Sequence, residues 1–188
     1  GSNAGRNNIG ANSNSFFGSS EGFSNTTGSN NAFFGRNAGG GNTIGSNNTF
    51  TGAFAGLLNI SGGNNSFFGT SAGSTNTTGS FTAFFGSGAG GDNTTGSQNS
   101  FFGYLAGNKN LNAFQNSFFG YQAGKNTTTG SFNSFFGYNA GLTNISGTHN
   151  SYFGYQAGLN NDFGTHNTFI GYRAGILNLG NFNTYVGD

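Results

Sequence analysis

The side chains able to do chemistry are few and scattered. The acids are Glu21, Asp92, Asp162 and Asp188 and the bases Arg6, Arg36, Lys109, Lys125 and Arg173. Hydrolysis by an acid/base pair needs two carboxylates within reach of one bond, and no two of these acids are spaced to meet. No serine sits in a nucleophile-elbow context with a histidine and an acid. The glycines do not spell a phosphate loop, because no G-K-[ST] follows them. Calcium-binding roll repeats carry Asp in every turn, where this chain has Asn and Thr. His149 and His166 form the one constellation. They are 17 residues apart, a separation that stacks them if the chain coils with that period; two imidazoles could then share a metal ion. Phe81, Phe132 and Phe182 share their column, which favours outward polar residues instead. We therefore assign no catalytic residue, no cofactor site and no metal site, and expect no enzyme.

What surrounds these residues is more informative. The chain has 188 residues, of which 38 are Gly and 24 Phe, with 5% charged and no Pro, Cys, Met or Trp. Disordered chains are rich in charge and Pro and poor in aromatics; this is the reverse. Collagen requires Gly at every third residue, and that period is missing. A net charge of +1 with dispersed Lys and Arg offers no basic stripe for nucleic acid. No apolar run approaches the ~20 residues of a membrane helix, and no signal peptide is visible. Without cysteine there are no disulfides or thiolate metal sites. N-x-[ST] triplets at Asn25, Asn59, Asn76, Asn93, Asn126 and Asn144 arise from the recurring N-T-T and N-I-S turns.

The organising feature is a 17-residue repeat. Aromatic residues recur at Phe16, Phe33, Phe50, Phe67, Phe84, Phe101, Phe118, Phe135, Tyr152 and Phe169; Tyr185 follows one residue early, placing a single deletion between Gly175 and Tyr185. With this aromatic as position 0, position 1 holds Phe17, Phe34, Thr51, Phe68, Phe85, Phe102, Phe119, Phe136, Phe153, Ile170 and Val186. Gly occupies positions 2 and 6. Position 5 is Ala from Ala38 to Ala174, with Glu21 the exception. Position 9 is Asn except Thr127, position 12 is Gly except Ala113, and position 15 is Asn except Thr82. The consensus is N-S-F-F-G-Y-x-A-G-x-x-N-T-T-G-S-x.

Independent loops accept insertions cheaply, whereas a stack of coils does not, since one extra residue misaligns every column. Seventeen residues are too few for two helices and a turn, and Gly at three fixed points opposes helix. The fold class expected is all-β: a parallel β-solenoid (β-roll) of about eleven coils in a single repeat domain over residues 1–188. Each coil is expected to hold two or three short strands, such as Asn116–Phe119 and Asn126–Thr129, with Gly at corners. At ~4.8 Å per strand the rod would be roughly 50 Å long. Both ends fall in mid-coil, nearly in phase and without a polar cap, as expected of a segment of a longer fibre.

Stacking identical residues predicts asparagine ladders at position 15 and, at position 9, along Asn25, Asn42, Asn59, Asn76, Asn93, Asn110, Asn144, Asn161 and Asn178. These Asn could equally serve as turn residues with positive φ. The adjacent aromatics predict one inward and one outward column. Position 1 is expected to form the coil core (Phe17, Phe34, Phe68, Phe85, Phe102, Phe119, Phe136, Phe153, Ile170, Val186), because its substitutes are aliphatic or Thr. Position 0 is expected at an oligomer seam (Phe16 to Phe169, with Tyr152 and Tyr185), where tyrosine suits a wet edge. An exposed apolar column calls for a cover, and another copy of the chain is the simplest one. The alternative is a bulge that turns both columns inward in a monomer. From Tyr104 onward position 3 is also a tyrosine column (Tyr121, Tyr138, Tyr155, Tyr172), suited to packing at a seam or to glycan rings.

The N-S-x-x-x-G strand and A-x-x-G-type corner resemble the β-roll of YadA-like heads in trimeric autotransporter adhesins. The N-x-F-F-G-x-x-A-G-x-x-N-T-T-G form is similar to repeat arrays of bacterial surface fibres and phage tail fibres. The resemblance covers the whole chain and departs from those heads in period and in the doubled Phe. It implies a parallel homotrimer, extracellular or cell-surface display or a place in a tail fibre, and attachment to a host, cell or surface through a receptor or glycan. Self-association is thus the expected partnership, as a homotrimer or, alternatively, as a head-to-tail filament; no cofactor, nucleic acid or membrane insertion is expected. A flat threonine face for ice, from Thr26, Thr43, Thr77, Thr94 and Thr128 at position 10, is interrupted by Ile60, Leu111, Ile145 and Leu179, which read as core.

Overall fold

The computed structural model describes residues 1–187. Each coil contributes one three-residue strand: β1 (Ser15–Phe17), β2 (Ala32–Phe34), β3 (Thr49–Thr51), β4 (Ser66–Phe68), β5 (Ala83–Phe85), β6 (Ser100–Phe102), β7 (Ser117–Phe119), β8 (Ser134–Phe136), β9 (Ser151–Phe153), β10 (Thr168–Ile170) and β11 (Thr184–Val186). They form one parallel sheet in strict chain order. Its register carries position 0 onto position 0 throughout, as in Phe101↔Phe118 and Phe118↔Phe135. The fold is the expected parallel β-solenoid.

The other sides of each coil are turns, so Asn126–Thr129 is not a strand. There the N–H groups of Thr128 and Thr129 both donate to the Ile145 carbonyl, a bend that breaks the alternation of a ladder. Positions 4 and 14 take positive φ whatever their side chain, including Phe54, Leu105, Phe81 and Phe132, so no strand passes through those points either. A non-glycine residue there costs roughly 1–2 kcal/mol. Hydrogen bonds between coils offset that cost: Phe54 donates its N–H to the Arg36 carbonyl at 2.9 Å and Phe81 to Gly63 at 3.0 Å. The position 9 and position 15 asparagines keep negative φ, so they are not left-handed turn residues.

The interior reverses the expected assignment of the two aromatic columns. Position 0 is the core: Phe33, Phe50, Phe67, Phe84, Phe101, Phe118, Phe135, Tyr152 and Phe169 are wholly buried, and Phe16 packs against them. Their rings stack at 4.6–5.0 Å between centroids. Only Tyr185, in the last coil, is substantially exposed. The expected core column faces outward: Phe17, Phe34, Phe153, Ile170 and Val186 are exposed, and Phe68, Phe85, Phe102, Phe119 and Phe136 are half-buried.

Small residues across the coil decide the matter. Ala123 and Gly124 lie opposite the Phe118 ring, and a methyl group on Gly124 would collide with that ring. Position 6 glycine (φ +58 at Gly124) therefore makes a slot one ring thick. Burial of each ring contributes ~1.5–3 kcal/mol. Glu21 takes the place of alanine in this wall; it is fully buried and neither carboxylate oxygen has a hydrogen-bond partner. Position 10 is also outward, with Ile60, Leu111, Ile145 and Leu179 exposed rather than in the core.

The missing residue of the last coil is absorbed in the turn after Asn178. There Gly180 N–H donates to Asn178 Oδ1 at 2.8 Å. The strand register Thr168↔Thr184 survives it.

Candidate functional site

The half of the interior facing the phenylalanine stack is polar and is made of two asparagine columns. In the position 9 column the side chains bond coil to coil: Asn42 Nδ2 donates to Asn25 Oδ1 at 2.7 Å, and Asn59 and Asn76 continue at the same distance. Asn93 follows at 2.6 Å. Each also donates to the position 12 carbonyl of its own coil, as Asn42 does to Gly45. Position 15 works differently. Its oxygen accepts a backbone N–H of the next coil (Asn48 N–H to Asn31 Oδ1, 3.0 Å), and its amide donates to the next coil's position 12 carbonyl (Asn31 to Gly45, 2.8 Å). Both columns thus converge on one carbonyl per coil. Each bond contributes ~1 kcal/mol net, and a buried amide left unpaired costs ~1–3 kcal/mol.

The position 9 ladder stops at Asn93. Asn110 makes no side-chain hydrogen bond. Asn144 donates only to Gly147, Asn161 Oδ1 accepts only from Gly164 N–H, and Asn178 Nδ2 turns to the Tyr185 hydroxyl. Two exceptions in the repeat explain the break between Asn93 and Asn144; nothing in the repeat explains the missing bonds beyond Asn144. A methyl group on a position 12 glycine would crowd the Asn of its own coil and the Asn amide of the next; at Gly28 the latter is Asn42 Nδ2, 2.9 Å away. Ala113 carries that methyl, and the residue facing it in the next coil is Thr127, the one position 9 residue shorter than Asn. Ala113 and Thr127 are a compensating pair. Its cost is the orphaned Asn110 amide and Thr127 hydroxyl.

The outer surface is marked by aromatic columns. Position 1 stacks from Phe68 to Phe153 at 4.6–4.9 Å, with Thr51 separating this run from Phe17–Phe34. Tyr104, Tyr121, Tyr138, Tyr155 and Tyr172 stack at 5.0–5.3 Å and are exposed. Position 14 carries Phe132, His149, His166 and Phe182 in one stack, with the two imidazoles 4.7 Å apart and 4° from parallel. The position 10 threonine hydroxyls are committed to bonds along the rod. Thr26 donates to the Thr43 carbonyl at 3.0 Å, and Thr43, Thr77, Thr94 and Thr128 repeat the bond. That face is therefore not a free hydroxyl array.

Among the described residues no three His, Asp or Glu side chains gather where a metal ion could be held. No helix there is long and apolar enough to cross a membrane. No family model, curated protein or solved structure matches the chain.

Proposed function

We propose that this chain is a non-catalytic structural rod, an adhesive segment of an extracellular fibre or trimeric surface adhesin. Its position 1 column is the seam where copies meet. The observation that carries this reading is the outward aromatic column, stacked without a break from Phe68 to Phe153 on a rod whose interior is already filled by position 0. Stacked apolar rings left in water along one line favour association. The resemblance of the repeat to adhesin and tail-fibre arrays supports a parallel trimer and attachment to a host, cell or surface. The dispersion of the few charged groups is in keeping with a scaffold.

Light scattering across a concentration series tests it. A fixed mass near three chains is expected, falling to one chain when Phe102, Phe119 and Phe136 are all changed to Ser with the fold intact by circular dichroism. A monomeric wild type overturns the seam. Mass that grows with concentration overturns the closed trimer in favour of an end-to-end filament.

A further inference from the structure

We infer that His149 and His166 form a two-histidine chelate for a borderline divalent metal ion of the nickel, copper and zinc class, clipping two adjacent coils together. Neutral imidazole suits these ions, and the rings are already paired. Both occupy position 14, both are exposed, and their rings are nearly parallel with centroids 4.7 Å apart. Parallel rings carry their outer nitrogens side by side. Two nitrogens bound to zinc at about 2.0–2.1 Å with tetrahedral geometry lie about 3.3 Å apart. Closing that gap takes rotation about χ1 as well as χ2, because the outer nitrogen lies close to the Cβ–Cγ axis, and it turns the two rings out of their stack toward one ion.

The backbone itself is held. His149 N–H donates to the Ser131 carbonyl at 3.2 Å and His166 N–H to Thr148 at 3.0 Å, and both residues have φ 58. Phe132 and Phe182 close the stack at its two ends, keeping the imidazoles next to each other. The two side chains thus start next to each other on a fixed backbone, which favours affinity. Water completes the coordination sphere.

Glutamine provides a clean substitution, because Gln98 and Gln115 occupy the same column with φ 59 and 56. Calorimetric titration with Ni²⁺ alone at neutral pH should give one ion per chain. His149→Gln and His166→Gln should each weaken binding at least tenfold while leaving the circular dichroism spectrum unchanged. Copper added to the wild type should show two equivalent nitrogen ligands by electron paramagnetic resonance, and one in either variant. Absence of saturable binding, two independent ions per chain, or equal affinity in the single variants would overturn the chelate.

Discussion

Phe118 and Phe119 are adjacent in sequence and chemically identical, yet one column of such residues is sealed inside the rod and the other lies on its outer surface. What separates them is the wall each one meets. Phe118 faces Ala123 and Gly124, whose smallness leaves a slot. Phe119 points the other way, stacks on Phe102 and Phe136, and stays only half-buried. The same residue is thus a core element or an assembly surface according to what stands five and six residues later.

The sharpest way to break this contrast is to truncate both. Phe118→Ala should lose ~3–5 kcal/mol of folding stability, the value for a large buried side chain that leaves a cavity. Phe119→Ala should lose under ~1 kcal/mol, the range of surface changes, when unfolding is followed in a variant already made monomeric. Equal losses in denaturant titrations would mean that the two columns are equivalent.

The polar wall opposite Phe118 allows a second test. Thr127→Asn alone should destabilise by about 1–2 kcal/mol, because the new amide crowds the Ala113 methyl. With Ala113→Gly added, the loss should become a gain, a coupling of about 1–3 kcal/mol between touching sites. Additive effects in a double-mutant cycle would refute the compensation.

The smallest effect concerns Tyr152, the one hydroxyl in the wholly buried column. It has no hydrogen bond, though the Asn167 side chain is beside it, and burial pushes its pKa above the ordinary 10.0. Tyr152→Phe should therefore stabilise by ~1 kcal/mol at neutral pH. A raised pKa means that the folded state holds the proton more tightly than the unfolded one. Its contribution is complete below pH 10.0 and is lost as pH rises beyond that value. The Phe variant should lack this alkaline component in melts followed above that pH.

The period, the parallel register and the columns of like residues were legible in the sequence, because an uninterrupted 17-residue spacing leaves little else for the chain to do. Which phenylalanine turns inward was not. Strand alternation allows both answers, and the aliphatic substitutes Ile170 and Val186 seemed to mark a core. The deciding signal was at positions 5 and 6, where Ala and Gly matter only once their side of the coil is known to lie across from position 0. The position 9 ladder was foreseen, but not its end at Asn93. Ala113 and Thr127 stand out singly in the repeat, and only the crowding that a position 12 methyl would cause in the next coil shows that one excuses the other. Each coil has one strand where two or three were expected, because the bend at Thr128 and Thr129, whose N–H groups share the Ile145 carbonyl, leaves no trace in side-chain type.

The coil-to-coil hydrogen bonds run along the rod, so a pull on its two ends loads them one coil at a time. Unlike a sheet sheared along its strands, such a rod peels. Each coil that yields would release 17 residues, about 60 Å of chain at 3.3–3.6 Å per residue. A rod of roughly 50 Å could in this way pay out more than tenfold its length in even steps. Held between two anchored ends, such a stack would lengthen by stages rather than all at once.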